Sequence, residues 1–162
     1  MGADQRKMLR FLVGEIDSVS AHTATFHGHE GIEDVATAVL RFRSGATGTL
    51  SSVWHDNLAR PSLRRVEVFC ERRHVVIDGD DWFGPVSWTD HDGSTGSLEG
   101  AALEAAVTPL REGTSANPDG EFIRSVVERR GAWPDLHAAV AAHRIVDAMY
   151  ASAAAGGQAV VP

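Results

Sequence analysis

The stretch EDVATAVLRFRSGATGTL, Glu33 to Leu50, decides the fold of this chain. From Val35 to Phe42, Ala36, Ala38, Leu40 and Phe42 fall on one side of a pleated strand and Val35, Thr37, Val39 and Arg41 on the other, because successive side chains alternate. Ser44 and Gly45 then read as a turn, and Thr47 to His55 as a second strand. So short a link makes the two an antiparallel hairpin.

Working outward, Ile16 to Phe26 is rich in Val, Thr, Ser and Ala and reads as a strand that closes on a loop, His27 to Gly31. Ahead of it, Met8, Leu9 and Leu12 share a helical face within Ala3 to Val13, and Gly14 supplies a stop. Beyond the hairpin, Leu63 to Cys70, Val75 to Asp78 and Val86 to Thr89 read as further strands. Residues 92–117 are small and rich in Gly, Ser and Thr, with a helix-compatible stretch near Leu98 to Val107. After Pro118, the residues Phe122, Ile123, Val126 and Val127 make one apolar stripe of a helix over Asp119 to Arg130. A last helix has Asp135 as N-cap and Leu136, Val140, His143, Val146, Met149 and Ala153 at helical spacing, ends at Gly156 and Gly157, and leads into a short strand at Ala159 to Val161.

Strands in a run followed by helices in a run imply an α+β fold: an open, mostly antiparallel sheet with helices on one face. If Leu40 and Phe42 point at the helices, then Val35, Val39 and Val53 lie on the other face. An apolar sheet face open to solvent implies an interface, here a homo-oligomer, dimer or higher.

Composition narrows the function. The 162 residues suit one domain over 1–162, with 43% hydrophobic residues to fill a core. A net charge of -7 opposes binding to nucleic acid. No apolar run approaches the ~20 residues of a membrane span. A single cysteine, Cys70, rules out an intrachain disulfide and reads as a small packed residue. A bacterial-type cytoplasmic protein is the expectation.

Four segments in order, LRFLVGEIDSVSA (Leu9 to Ala21), EDVATAVLRFRSGATGTL (Glu33 to Leu50), RRVEVFCERRHVVIDGD (Arg64 to Asp80) and AAHRIVDAMYASAAAGGQAVVP (Ala141 to Pro162), resemble the C-terminal domain of the Gfo/Idh/MocA oxidoreductases. The resemblance implies a substrate-binding and oligomer-forming part of an NAD(P)-dependent dehydrogenase. It also implies a Rossmann domain elsewhere, in a longer chain or as a separate subunit. This sequence holds no strand followed by a G-x-G-x-x-G turn, so no cofactor site is expected in it. The family's Glu-Lys-Pro segment with its catalytic lysine is missing too. An ungapped alignment of LRFLVGE puts Asp4 where the family has a histidine and Lys7 where it has an acidic residue, so no catalytic residue is assigned. A carboxylate replaces imidazole as a proton shuttle near neutral pH only if its pKa is strongly raised.

The segment WHDNLARPSLRR, Trp54 to Arg65, is the candidate binding site for a sugar, inositol or related polyol. His55 can donate or accept a hydrogen bond, Arg60 can clamp a carboxylate or polyhydroxy group, and Trp54 and Asp56 flank them. The plainer reading makes His55 a strand-end polar residue and Arg64 and Arg65 solvated edge charges. His27 and His29 form an H-x-H pair, but Gly28 and Gly31 favour a loop and no third ligand supports a metal site. Trp82, Phe83 and Trp88 lie near Asp80, Asp81 and Asp90, a pairing that can stack on sugars but more simply packs a sheet edge. His143, on the last helix's stripe, reads as a satisfied core histidine, and Ser152 lacks any nucleophile motif. The alternative function is a stand-alone, non-catalytic ligand-binding or scaffold module, which the altered Asp4 and Lys7 positions favour.

Overall fold

The hairpin read from Glu33 to Leu50 is present in the computed structural model, which describes residues 12–26, 30–54, 64–79, 84–111, 118–132 and 135–162. The helix expected from Ala3 to Val13 lies almost wholly outside these residues. The chain divides into two units, one of residues 1–57 and 134–162, the other of residues 58–133.

The first unit holds strands β1 (Ile16–Ala24), β2 (Val35–Phe42) and β3 (Thr47–Val53), paired antiparallel in that order. In β2 the burial alternates as the pleat demands: Ala36, Ala38, Leu40 and Phe42 are buried. Gly45, at φ +88°, donates its N–H to the Phe42 carbonyl in the tight turn that pins the register Val35↔Val53 to Arg41↔Thr47. The helix Leu136–Ala154, which becomes α3 below, lies across β1 and contributes Ile145 and Met149 to the core with Ile16, Val19, Ala21, Leu40, Phe42 and Leu50. As expected, Asp135 caps it, accepting from the Ala138 N–H at 2.9 Å.

The buried line of this helix differs from the expected one. It runs through Ala142, Ile145, Ala148, Met149 and Ser152, while Leu136, Val140 and His143 face solvent. Small residues on the contact line let the helix axis approach the sheet closely, and this outweighs the larger apolar side chains one step round. His143 is therefore not a core histidine; its Nδ1 lies 2.9 Å from the Ala139 carbonyl on the exposed side.

The far edge of β1 is closed in two ways. Val19 and Val160 exchange both backbone hydrogen bonds at 2.9 Å, an isolated bridge where a short terminal strand was expected. The next inward N–H of that edge, of Ala21, donates to Ser152 Oγ at 2.8 Å, and the hydroxyl in turn donates to the Gln158 carbonyl at 2.6 Å. Ser152 is a structural hydroxyl that substitutes for a missing strand.

The second unit holds an antiparallel meander, β4 (Arg64–Phe69), β5 (Arg73–Gly79), β6 (Val86–Asp90) and β7 (Thr95–Leu98), followed by helices α1 (Gly100–Val107) and α2 (Pro118–Glu128). A 3-10 turn, Thr108–Arg111, follows α1. Because β3 and β4 are not paired, the run of strands read in sequence forms two sheets, both open and antiparallel, within an α+β fold. Strand β7 was not expected from its small residues. Asp92 makes it possible by accepting from the Ser94 N–H at 2.9 Å and hydroxyl at 2.6 Å, which turns the chain back. The Trp88 ring then covers Gly96, where a Cβ would stand 2.3 Å from the indole. Leu103 is the one hydrophobic side chain buried among the described residues of this unit.

Helix α2 is amphipathic as expected, but its apolar stripe faces outward: Phe122, Ile123, Val126 and Val127 are 60%, 61%, 60% and 75% exposed. The buried side carries Glu121, 2% exposed, and Ser125. Glu121 is buried with a partner, since its Oε1 meets Arg130 Nη1 at 2.5 Å, and a buried carboxylate is tolerated when it is paired. Arg129, at φ +53°, closes the helix, with Arg129 N donating to the Val126 carbonyl and Arg130 N to the Ser125 carbonyl. No helix among the described residues is long and apolar enough to cross a membrane.

Candidate functional site

Of the candidate binding residues, Trp54 lies within the described residues; His55, Asp56 and Arg60 lie outside them. Trp54 leaves β3 with its N–H held by the Asp34 carbonyl at 2.7 Å. Asp34 also donates its own N–H to the Ala24 carbonyl at 3.1 Å, and its buried carboxylate accepts the Phe26 N–H at 2.8 and 3.0 Å. One residue thus ties the end of β1 and the exit of β3 to the start of β2. The candidate loop after β3 starts from a fixed point rather than from a frayed strand.

Beside this junction lies a feature the sequence reading missed. Tyr150 of α3 donates to Glu33 at 2.6 Å, and the pair borders a cavity of about 50 Å³ with Thr23, Ala36, Val146 and Met149. The Tyr150 hydroxyl holds the Glu33 carboxyl below its ordinary value of 4.5. The cavity has room for a few waters, well short of the ~300 Å³ that small-molecule pockets begin at. On the outer face of the same sheet, Ser20, His22, Thr37, Val39, Thr49 and Ser51 line an open depression of about 250 Å³. Val39 and Val53 are 51% and 58% exposed on this face, as expected if Leu40 and Phe42 turn inward.

In the second unit, Arg65 belongs to a strand-face network rather than to the loop. Its guanidinium meets Glu67 Oε1 and Asp78 Oδ2, both at 2.6 Å, and Glu67 Oε2 lies 3.2 Å from His74 Nε2. Arg65 holds the Glu67 carboxyl below its ordinary value. Trp88 has a structural place: it lies over Gly96, and the Arg73 guanidinium sits 5.4 Å from its ring centre while binding Asp90 at 2.6 and 2.9 Å. Trp82, Phe83, Asp80 and Asp81 lie outside the described residues, as do His27 and His29. Among the described residues no group of three His, Cys, Asp or Glu side chains could hold a metal ion.

The described residues do not fit a dinucleotide. A pyrophosphate cradle needs a strand of a parallel sheet running through a glycine turn into a helix N-terminus. Every strand pair described here is antiparallel. The one place where a strand passes directly into a helix, β7 into α1, sets Glu99 at the N-cap, a carboxylate that repels phosphate.

Residues 2–76 match the family model of the GFO/IDH/MocA C-terminal domain. No curated protein matches the chain in sequence. An oxidoreductase from Sinorhizobium meliloti shares the fold at a TM-score of 0.75 with 20% identity, over 98% of this chain and 51% of that one. An oxidoreductase from Agrobacterium radiobacter in complex with NAD+, L-tartaric acid and magnesium shares it at 0.72 with 17% identity, over 99% and 47%. The WlbA dehydrogenase from Bordetella pertussis in complex with NADH and UDP-GlcNAcA shares it at 0.69 with 20% identity, over 99% and 43%. The chain spans about half the length of the solved structures it matches. By the match over residues 2–76 and by its fold, this chain is similar to the C-terminal domain of the Gfo/Idh/MocA-type oxidoreductases.

Proposed function

We propose that this chain, as one C-terminal-domain equivalent, binds the substrate and drives assembly in an NAD(P)-dependent oxidoreductase acting on a sugar, inositol or related polyol. The nicotinamide cofactor would be held by a nucleotide-binding domain outside these residues. The observation that carries this reading is the fold match: nearly all of this chain corresponds to about half of chains that were crystallised with NAD+ or NADH. In this reading the loop opening at Trp54, with His55, Asp56 and Arg60, contacts the substrate's hydroxyl or carboxylate groups. The outer face of β1 to β3, with Val39 and Val53, meets a second copy of the chain.

A stand-alone ligand-binding or scaffold role is the second reading, favoured by Asp4 and Lys7 in place of the family's histidine and acidic residue. Titration of the purified chain with NADH and with NADPH, followed by fluorescence, tests both, with oligomeric mass taken on the same sample. The expected result is an oligomer with no micromolar binding of either cofactor. Micromolar binding would overturn the assignment of the cofactor to another domain. In an assembled active enzyme, His55→Ala with Arg60→Ala should raise KM about tenfold or more through lost substrate contacts; an unchanged KM removes the loop from the site and favours the scaffold role.

A further inference from the structure

The cavity beside the Glu33–Tyr150 pair is lined like one subsite of a larger binding site. Its floor is apolar and buried, formed by Ala36 of β2 and Met149 of α3, with Val146 half-buried beside them. Its rim is polar and reaches solvent: Thr23 is exposed, and Tyr150 is 47% exposed while donating to Glu33 at 2.6 Å. The rim also stands one residue from the anchor of Trp54, because Glu33 precedes Asp34, whose carbonyl holds the Trp54 N–H at 2.7 Å.

Volume and lining together select the occupant. A space of about 50 Å³ that admits a few waters admits two heavy atoms of a ligand, and a pyranose ring stays outside. An ionised carboxylate only accepts hydrogen bonds, at about four positions. Tyr150 takes one of these and the Glu33 backbone N–H another, so acceptor positions remain for an O–H of a ligand. A methyl group in the cavity would strip water from that carboxylate and return no hydrogen bond. An ammonium group would give up its hydration to lie over an apolar floor, facing a carboxylate already shared with a phenol. A hydroxyl on a ring carbon would need the ring to follow it in. A hydroxymethyl group suits both parts of the lining: its methylene rests on Ala36 and Met149, and its hydroxyl donates to Glu33.

We propose that the Glu33–Tyr150 cavity is the subsite for a terminal hydroxymethyl group of the substrate. This rests on the proposed function and narrows it. The substrate is a sugar or linear polyol with a free primary alcohol, whereas a pentose in its pyranose form, or inositol with its ring hydroxyls alone, leaves the subsite unfilled.

The test is an NMR titration of the purified chain with glucose, galactose and mannose, each against the pentose that lacks only its hydroxymethyl group: xylose, arabinose and lyxose. Two signals separate the claims. The Met149 methyl reports the cavity, and the Trp54 indole N–H reports the substrate reading beneath it. At least one hexose should shift both signals, and its pentose should bind about tenfold or more weakly with the Met149 methyl unmoved. Glu33→Gln keeps the shape of the side chain and should bring that hexose to within about twofold of its pentose. Val146→Leu fills the space, leaves Glu33 and Tyr150 in place, and should do the same. A hexose that moves Trp54 and leaves Met149 still, equal binding of hexose and pentose by the parent, or an unaltered preference in either folded variant overturns the subsite alone. Ethylammonium that moves the Met149 methyl where no hexose does also overturns it. A hexose that moves Met149 but not Trp54 keeps the subsite and takes the loop out of the site. If no sugar moves either signal, the substrate-binding reading falls and the subsite with it.

Discussion

Replacing Ser152 with alanine isolates a single oxygen on which the edge of β1 depends. Ser152 is 0% exposed, and its Oγ both receives the Ala21 N–H at 2.8 Å and donates to the Gln158 carbonyl at 2.6 Å. Alanine keeps the helix and nearly the same volume, so the loss is confined to those two bonds. Leaving a buried backbone group without a partner costs about 1–3 kcal/mol. Two such groups, relaxing in part, imply about 2–4 kcal/mol. For a chain of this length each kcal/mol moves the midpoint by ~3 °C, so Tm should fall by about 6–12 °C. Differential scanning calorimetry gives the Tm, and hydrogen exchange at the Ala21 amide locates the effect. Ser97→Ala, an exposed change on β7, serves as the control and should stay within ~1 °C. A Ser152→Ala protein that melts within ~2 °C of the parent, with the Ala21 amide equally protected, would refute the claim that the hydroxyl closes this edge.

Arg129→Gly should stabilise the second unit by about 0.5–1 kcal/mol, because φ +53° suits glycine and strains arginine; thermal melting checks it, and a loss of stability would mean the arginine side chain matters more than the strain. Gly96→Ala should destabilise by about 1–3 kcal/mol, since the new Cβ would stand 2.3 Å from the Trp88 ring, and the indole emission should shift as the ring is displaced. Tyr150→Phe removes the hydrogen bond that depresses Glu33, so the Glu33 midpoint in an NMR titration should rise toward 4.5. The sign for stability follows: a depressed folded-state pKa gives a contribution present above pH 4.5 and lost as pH falls through the folded value, so the parent should show this acid-dependent loss and the Tyr150→Phe protein little of it.

The parts of the fold legible in the sequence were those whose signal is local. Alternation in Val35 to Phe42, with Gly45 at the turn, determines which side chains face the core without any distant partner. Strand β7 was not legible, because its stability comes from Trp88 folding over Gly96 from the neighbouring strand. The helix from Pro118 was legible as a helix, but not the way it faces: a stripe of Phe, Ile and Val says where apolar surface is, and the structure leaves that stripe exposed while Glu121 is buried. In α3 the alanines at 142 and 148 form part of the contact line, and alanine carries too little hydrophobic weight to announce it. Of the proposed binding segment, only the anchoring of Trp54 by the Asp34 carbonyl falls within the described residues. The Glu33–Tyr150 pair was not legible, because its members stand 117 positions apart and neither belongs to a recognisable motif.

The closure of β1 sets a timetable for the chain's own synthesis. The N–H of Ala21 waits 131 residues for Ser152, and the bridge from Val19 waits longer still for Val160. At about 5–20 residues per second, a ribosome leaves that edge open for roughly 7–26 s after the strand has emerged. Through this interval the nascent strand offers a bare ladder to any other extended chain, and the exposure ends only when the last turn of α3 is made.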